Sequence, residues 1–390
     1  MPRTIVLIAL LAACSAPEPI ALRPTAPVLA DLPLHQLELY GYERLAQSSS
    51  WSSDSDSLEL SPAGAAFPAT GGRAVSRALR YTEPFQSVLP SWNAVVPSGA
   101  GFCVEVQVAA DDEHWSPWLY LGDWGLGRPE TQRTLESPAG RVAVDVLKLA
   151  QPATRLRWRA IGMGGAGQVQ LTNFALALEG TDSRTDHNPP NDRGPALDLE
   201  LPARSQRMAE ASIAARICSP TSVAMVLAHF GHEESTEHVA AVLYDPINDI
   251  YGNWNRAVQG AYQLGVVGHL ERFSNWHHVR ATLDEGRPLV ISIGAKPGEL
   301  QGAPYQETGG HLLAISGLDG QGGVICRDPA ADAPAGVARI YSCADLEHVW
   351  MRRGGVAYVF GDPPITVTEE TQDPQGTQGP QDPQDPVHEE

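Results

Sequence analysis

Cysteine is scarce in this chain: Cys14, Cys103, Cys218, Cys326 and Cys343 are the five in 390 residues. That scarcity excludes a disulfide scaffold, although a single pairing of Cys326 with Cys343 stays open. Positive charge is short as well. Lys and Arg number 27 against 46 Asp and Glu, a net charge of −19, which argues against a nucleic-acid partner because a phosphate backbone calls for lysine and arginine. Long apolar runs are missing: Ile5 to Leu11 is too short to span a bilayer permanently, and no other run is longer. Several catalytic signatures are missing too. There is no Walker A sequence, and Gly162-Met163-Gly164-Gly165-Ala166-Gly167 is followed by a strand pattern rather than a helix, so its G-x-G-x-x-G spacing implies no dinucleotide site. His232, Glu233 and His238 lack zincin spacing, and His277 and His278 point to different sides of a helix. No metal site and no cofactor are therefore expected. Nothing resembles a serine nucleophile elbow.

What the chain has is organised in blocks. Residues 1–13 read as a signal peptide: one positive charge at Arg3, a short apolar run, then Leu11-Ala12-Ala13-Cys14. The pattern resembles a bacterial lipoprotein signal with cleavage before Cys14. It implies an exported chain, lipid-anchored through Cys14 to a bacterial membrane, at the outer membrane or cell surface; a plain secretory peptide is the alternative. Residues 14–35 form a Pro/Ala-rich tether and 181–197 a linker. Residues 363–390 are expected to be a disordered acidic tail, with seven acids and no lysine or arginine from Glu369 onward. Two folded blocks remain, 36–180 and 198–362.

The first block reads as all-β. Val104, Val106 and Val108 alternate with Glu105 and Gln107; Val142, Val144 and Val146 alternate likewise; Leu156, Trp158 and Ala160 alternate with Arg155, Arg157 and Arg159. Such alternation predicts half-buried strands, with a bulge near Thr172-Asn173 where the apolar set changes phase. A jelly-roll-like β-sandwich is expected, folding on its own and tuning where the second block acts. Most of its tryptophans, Trp92, Trp124 and Trp158 among them, are expected in the core. Trp115 and Trp118 are the expected exposed pair, available for a cell-wall, carbohydrate or partner contact.

In the second block, Cys218-Ser219-Pro220 precedes Val223, Val226, Leu227 and Phe230, and Gly231 follows. This predicts a helix that starts at Cys218, where unpaired N–H groups and the dipole favour a thiolate and could hold an oxyanion. Gly309-Gly310-His311 opens a buried strand and offers a base; Asp328, 17 residues on, could orient it. Taken singly, each has a plainer reading: a packed thiol, a strand-end histidine, an Asp-Pro turn. Helices are further predicted at 254–264 behind Asn253, at 276–285 behind Asn275, and around Asp345 up to Trp350. Strands are predicted at 288–293, 311–316, 323–327, 338–341 and 356–360.

Residues 218–227, 310–317 and 327–330 together resemble the papain-like cysteine peptidases of the bacteriocin-processing, double-glycine-leader type, and more narrowly a secreted subgroup without a transporter. The resemblance implies an α+β papain-like domain with Cys218 as nucleophile, His311 as base, Asp328 as its orienter and Gln206 as an oxyanion donor. It implies a peptide or protein substrate, cut through an acyl-enzyme. Two other functions stay open: a non-catalytic envelope binding protein on the same scaffold, and a thiol acyltransferase.

Overall fold

The computed structural model describes residues 35–111, 114–126, 134–181 and 194–361. The signal peptide, Cys14, nearly all of the tether, most of the linker and the acidic tail lie outside the described residues. Everything described falls in one compact unit that begins at Leu34.

Among the described residues, eleven antiparallel strands of the N-terminal half form one hydrogen-bonded sheet. Two 17-residue strands organise it. Leu79–Val95 pairs through its first half with Val146–Gly162 and through its second with Gln168–Gly180. Val146–Gly162 in turn pairs through Arg155–Gly162 with Gly101–Ala109. Strands that change partners at bulges wrap a sheet around one interior, and Trp92, Phe102, Trp158 and Phe174 fill it. Trp158 and Phe174 stack with centroids 3.7 Å apart. The bulge expected near Thr172 is there, as a register shift between Leu171 and Asn173.

Three expectations for this half need correction. It is not purely β, since Tyr42–Leu45 is a short helix. The strand from Val142 does not run through Val144: Gly140–Ala143 ends, Val144 takes φ 60°, and a new strand starts at Val146. Nor is Gly101–Ala109 half-buried. Glu105 and Gln107 are covered as well, because Arg159 and Arg157 of the neighbouring strand lie over them and bond to them at 2.7 and 2.8 Å.

The C-terminal half runs from helices to strands. Helices Cys218–His229, Thr236–Leu243 and Trp254–Gln263 come first, then Trp276–Asp284 between the strands Gly268–Arg272 and Leu289–Ala295. The caps behave as the sequence implies: Asn253 accepts the N–H of Arg256 and Asn275 that of His278. The sheet order is Gly268–Arg272, Val356–Phe360, Leu289–Ala295, Thr308–Leu318, Gly323–Arg327, Ala338–Ser342, with every neighbouring pair antiparallel. The helices Trp254–Gln263, Trp276–Asp284 and Cys343–Val349 and the five expected strands appear within two or three residues of their predicted ends. The helix at 236–243 and the strands at 268–272 and 197–198 were not anticipated.

The halves meet along an extensive seam. Gly268–Arg272 is an edge strand, and an uncovered edge invites wrong pairing. Here Asn93 accepts the N–H of Gly268 at 3.2 Å, Ser91 that of Leu270 at 2.8 Å, and Ser87 a guanidinium N–H of Arg272 at 3.1 Å. Gln259 bonds to both backbone groups of Ala94 at 2.8 Å. Leu89, Val146 and Ala177 of the N-terminal sheet belong to the same apolar cluster as Val223, Val258 and Leu270. The sequence suggested a block that folds alone; in the structure it also packs along this seam against the C-terminal half.

Candidate active site

The Cys218–His229 helix forms where expected. Ile217 sits before it in a non-helical conformation, Pro220 occupies the first turn and Gly231, at φ 86°, follows its end. Because the helix begins at Cys218, the backbone N–H groups of its first turn have no partner inside the helix. Ser222 bonds to the carbonyl of Leu312, which ties this turn to the Thr308–Leu318 strand one residue beyond His311. That register brings the thiol and the imidazole together.

Cys218 is partly exposed and hydrogen-bonded to His311. Desolvation works to raise its pKa. The bond to His311, the charge of that ring, and the N–H groups of Leu312 and Ser219 outweigh it and hold the thiol below its usual value. His311 is buried, and Nε2 lies 2.8 Å from Oδ1 of Asp328, which leaves Nδ1 for the thiol. Burial favours the neutral ring, but the bonds to Asp328 and Cys218 and their charges prevail and raise its pKa to about 10. The geometry therefore favours a thiolate–imidazolium pair.

Asp328 is fully buried. Burial pushes its pKa up, yet His311, the N–H of Ala330 at 3.0 Å and the hydroxyl of Tyr341 at 2.8 Å bring it below the ordinary carboxylate value. Tyr305 donates a further bond to Oδ2 at 3.2 Å, and its ring meets the edge of His311 at 5.1 Å. The carboxylate thus has four donors, as a buried charge requires. Sequence reading missed both tyrosines. Tyr341 was placed in a strand only, and Tyr305 lies in a loop with no periodic signal.

Gln206 is buried in a 3-10 turn beside this pocket, and its backbone N–H bonds to the carbonyl of Pro329 at 2.9 Å. Its side-chain nitrogen donates to the carbonyl of Ala214 at 2.8 Å, and its Oε1 is buried without a partner. The structure brings Cys218, His311 and Asp328 together and leaves the Gln206 side chain bonded elsewhere. Cys326 and Cys343 are buried and free, so the pairing left open for them is not formed; Cys103 is buried as well. Burial raises the Cys326 thiol well above its usual value and pushes Cys343 up to about 12. Among the described residues no cluster of His, Cys, Asp or Glu could hold a metal ion.

The expected exposed pair in the N-terminal half has a different setting. The guanidiniums of Arg155 and Arg157 each lie 5.1 Å from the ring centroid of Trp115, and those of Arg157 and Arg159 lie 5.2 and 4.1 Å from that of Trp118. Arginine therefore already packs on a ring face of each tryptophan, and both rings are only partly exposed.

Residues 198–358 match the Peptidase_C39 like family, and residues 62–171 match the Peptidase C39 N-terminal domain. None of the curated proteins matches the chain. The similar solved structures include two peptidases. One is a C39-like peptidase from Bacillus anthracis, at 18% identity over 44% of this chain and 99% of that one, with a TM-score of 0.33. The other is a double glycine motif protease from an AMS/PCAT transporter in complex with the leader peptide, at 15% identity over 42% and 93%, with a TM-score of 0.28.

Proposed function

We propose that this C39-like cysteine peptidase hydrolyses amide bonds of peptides or proteins in the cell envelope, through Cys218, His311 and Asp328. The carrying observation is a thiol at a helix start set against His311, whose ring lies 2.8 Å from an aspartate with four donors. In this reading the Cys218 thiolate attacks the carbonyl carbon and forms the acyl-enzyme. His311, already protonated, gives its proton to the leaving amine through Nδ1, then takes one from the water that releases the acid. Asp328 holds the ring and offsets its charge. The Cys218 N–H at the open helix turn is the better-placed oxyanion donor; Gln206 has one amide N–H left for that task after its bond to Ala214.

Papain-like describes the proposed fold of the C-terminal half, supported by a nucleophile helix packed on an antiparallel sheet that carries the base and its orienter. A jelly-roll-like sandwich is the matching reading of the N-terminal sheet, supported by its two partner-switching strands. Lipid anchoring through Cys14 is proposed on the Leu11-Ala12-Ala13-Cys14 pattern alone. A carbohydrate contact at Trp115 or Trp118 would have to share the rings with these arginines. The test is mass spectrometry of peptides released from envelope extracts by the wild-type protein and by Cys218→Ala. Release should vanish in the variant; equal release by both would contradict the reading.

A further inference from the structure

Between the two halves sits a carboxyl group that the proposed chemistry does not use. Asp145 is buried at the seam. It is delivered there by a γ-turn in which the N–H of Asp145 bonds to the carbonyl of Ala143 at 2.8 Å while Val144 takes φ 60°. A β-branched residue at positive φ is strained, so the surrounding packing must hold that turn in place. Oδ2 of Asp145 accepts the backbone N–H of Trp254 at 2.7 Å, in the first turn of the Trp254–Gln263 helix. A residue of the N-terminal sheet therefore caps a helix of the C-terminal half, in addition to that helix's own cap Asn253.

The groups that face Asp145 are few. Asp245, from the loop after the Thr236–Leu243 helix, sits close enough to repel a second negative charge. Against its own burial, Asp245 is kept ionised by bonds from Asn248 and Asn253. Arg272, from the edge strand, attracts, but it also faces Glu179 at 3.6 Å and bonds to Ser87 and to the carbonyl of Gly354. Tyr358, on the adjacent strand, feels the charges of both Asp145 and Cys218 and bonds to Ser219, next to the nucleophile, at 3.1 Å. Tyr358 thus bonds to the start of the Cys218 helix and is near enough to Asp145 to feel its charge.

We propose that Asp145 is a proton-operated latch between the halves: neutral, it holds the seam beneath the nucleophile, and ionised, it loosens it. Desolvation, reinforced by Asp245 and only partly offset by the Trp254 and Asp145 N–H groups and Arg272, raises its pKa from 3.8 to about 7. The sign follows from linkage. Between those two values the folded chain holds a proton that the unfolded chain has lost, so the fold loses stability as pH climbs toward 7, and the loss is complete above it.

The experiment compares full-length wild type with Asp145→Asn, which keeps an oxygen for the Trp254 N–H and cannot ionise. Folding equilibrium constants from urea unfolding are measured at pH 5 and pH 8. The variant should gain on wild type by at least about tenfold over that interval, since a one-unit shift alone is worth tenfold. Parallel pH dependence in the two proteins overturns the latch. If the variant does not fold, hydrogen exchange on wild type decides. Corrected for intrinsic rate, the Trp254, Gly268 and Leu270 amides should lose protection relative to Ile291 between pH 6 and pH 8; an unchanged ratio contradicts the proposal. Both measurements read the fold and not peptide cleavage, so their outcome is separate from that of the peptidase reading.

Discussion

Asp328 and Asp145 are the same side chain buried in two regions of one molecule, and their titration moves in opposite directions. The pocket around Asp328 supplies an imidazole, a backbone N–H and two tyrosine hydroxyls, so burial is outweighed and the charge is kept. The seam around Asp145 supplies the N–H of Trp254 and its own N–H and places Asp245 nearby, so burial wins. Depth alone does not set the charge of a buried carboxylate. The count of donors does, with the sign of the nearest neighbour. The proposed catalytic pocket favours the charged carboxylate, the seam the neutral one.

Removing the charge from the Asp328 pocket is the harshest way to break this comparison. Asp328→Asn keeps the shape but fixes the wrong donor pattern toward His311 Nε2, and kcat should fall by about 10³-fold or more. Alkylation of Cys218 near pH 7 should change far less, because the imidazole still touches the thiol. Steady-state kinetics and iodoacetamide labelling on one preparation separate the two; equal losses in both would mean that Asp328 only holds the fold. Subtracting one donor is gentler. Tyr341→Phe deletes the 2.8 Å bond to Oδ2, and a hydrogen bond to a charged group is worth roughly 1.5–3 kcal/mol, so activity should drop about tenfold with the acid limb moved to higher pH. An unshifted limb would mean that the hydroxyl does not tune the carboxylate.

The two regions also differ in how well the sequence announces them. Cys218, His311 and Asp328 carry local signals: a proline in a first helical turn, paired glycines before a strand, an Asp-Pro after one. Caps such as Asn253 and Asn275 act within three residues and are equally readable. The rest depends on partners distant in sequence. Tyr305 and Tyr341 serve Asp328 only because three separate segments converge. The strand Gly268–Arg272, Gly-His-Leu-Glu-Arg, looks like surface, yet all of it is buried, with Glu271 facing His269 and His278 at 3.3 and 3.1 Å. Ser235 before the Thr236–Leu243 helix was a readable cap, and its bond to the N–H of His238 shows the signal was there. Glu105 was read as exposed because alternation cannot see the arginine that lies across it. Asp145 had no signal at all: a strained turn and a second domain put it where it is.

The central claim is that one thiol among four described ones is chemically different because of His311. The direct measurement is site-resolved iodoacetamide alkylation of the folded protein as a function of pH, read by mass spectrometry, with Cys103, Cys326 and Cys343 as internal controls. Cys218 should react well below the ordinary thiol pKa of about 8.5 and stay reactive through neutral pH, while burial keeps the other three slow. His311→Ala should return Cys218 toward the ordinary range. A Cys218 that alkylates no faster than the controls near neutral pH, and does not respond to His311→Ala, would contradict the account.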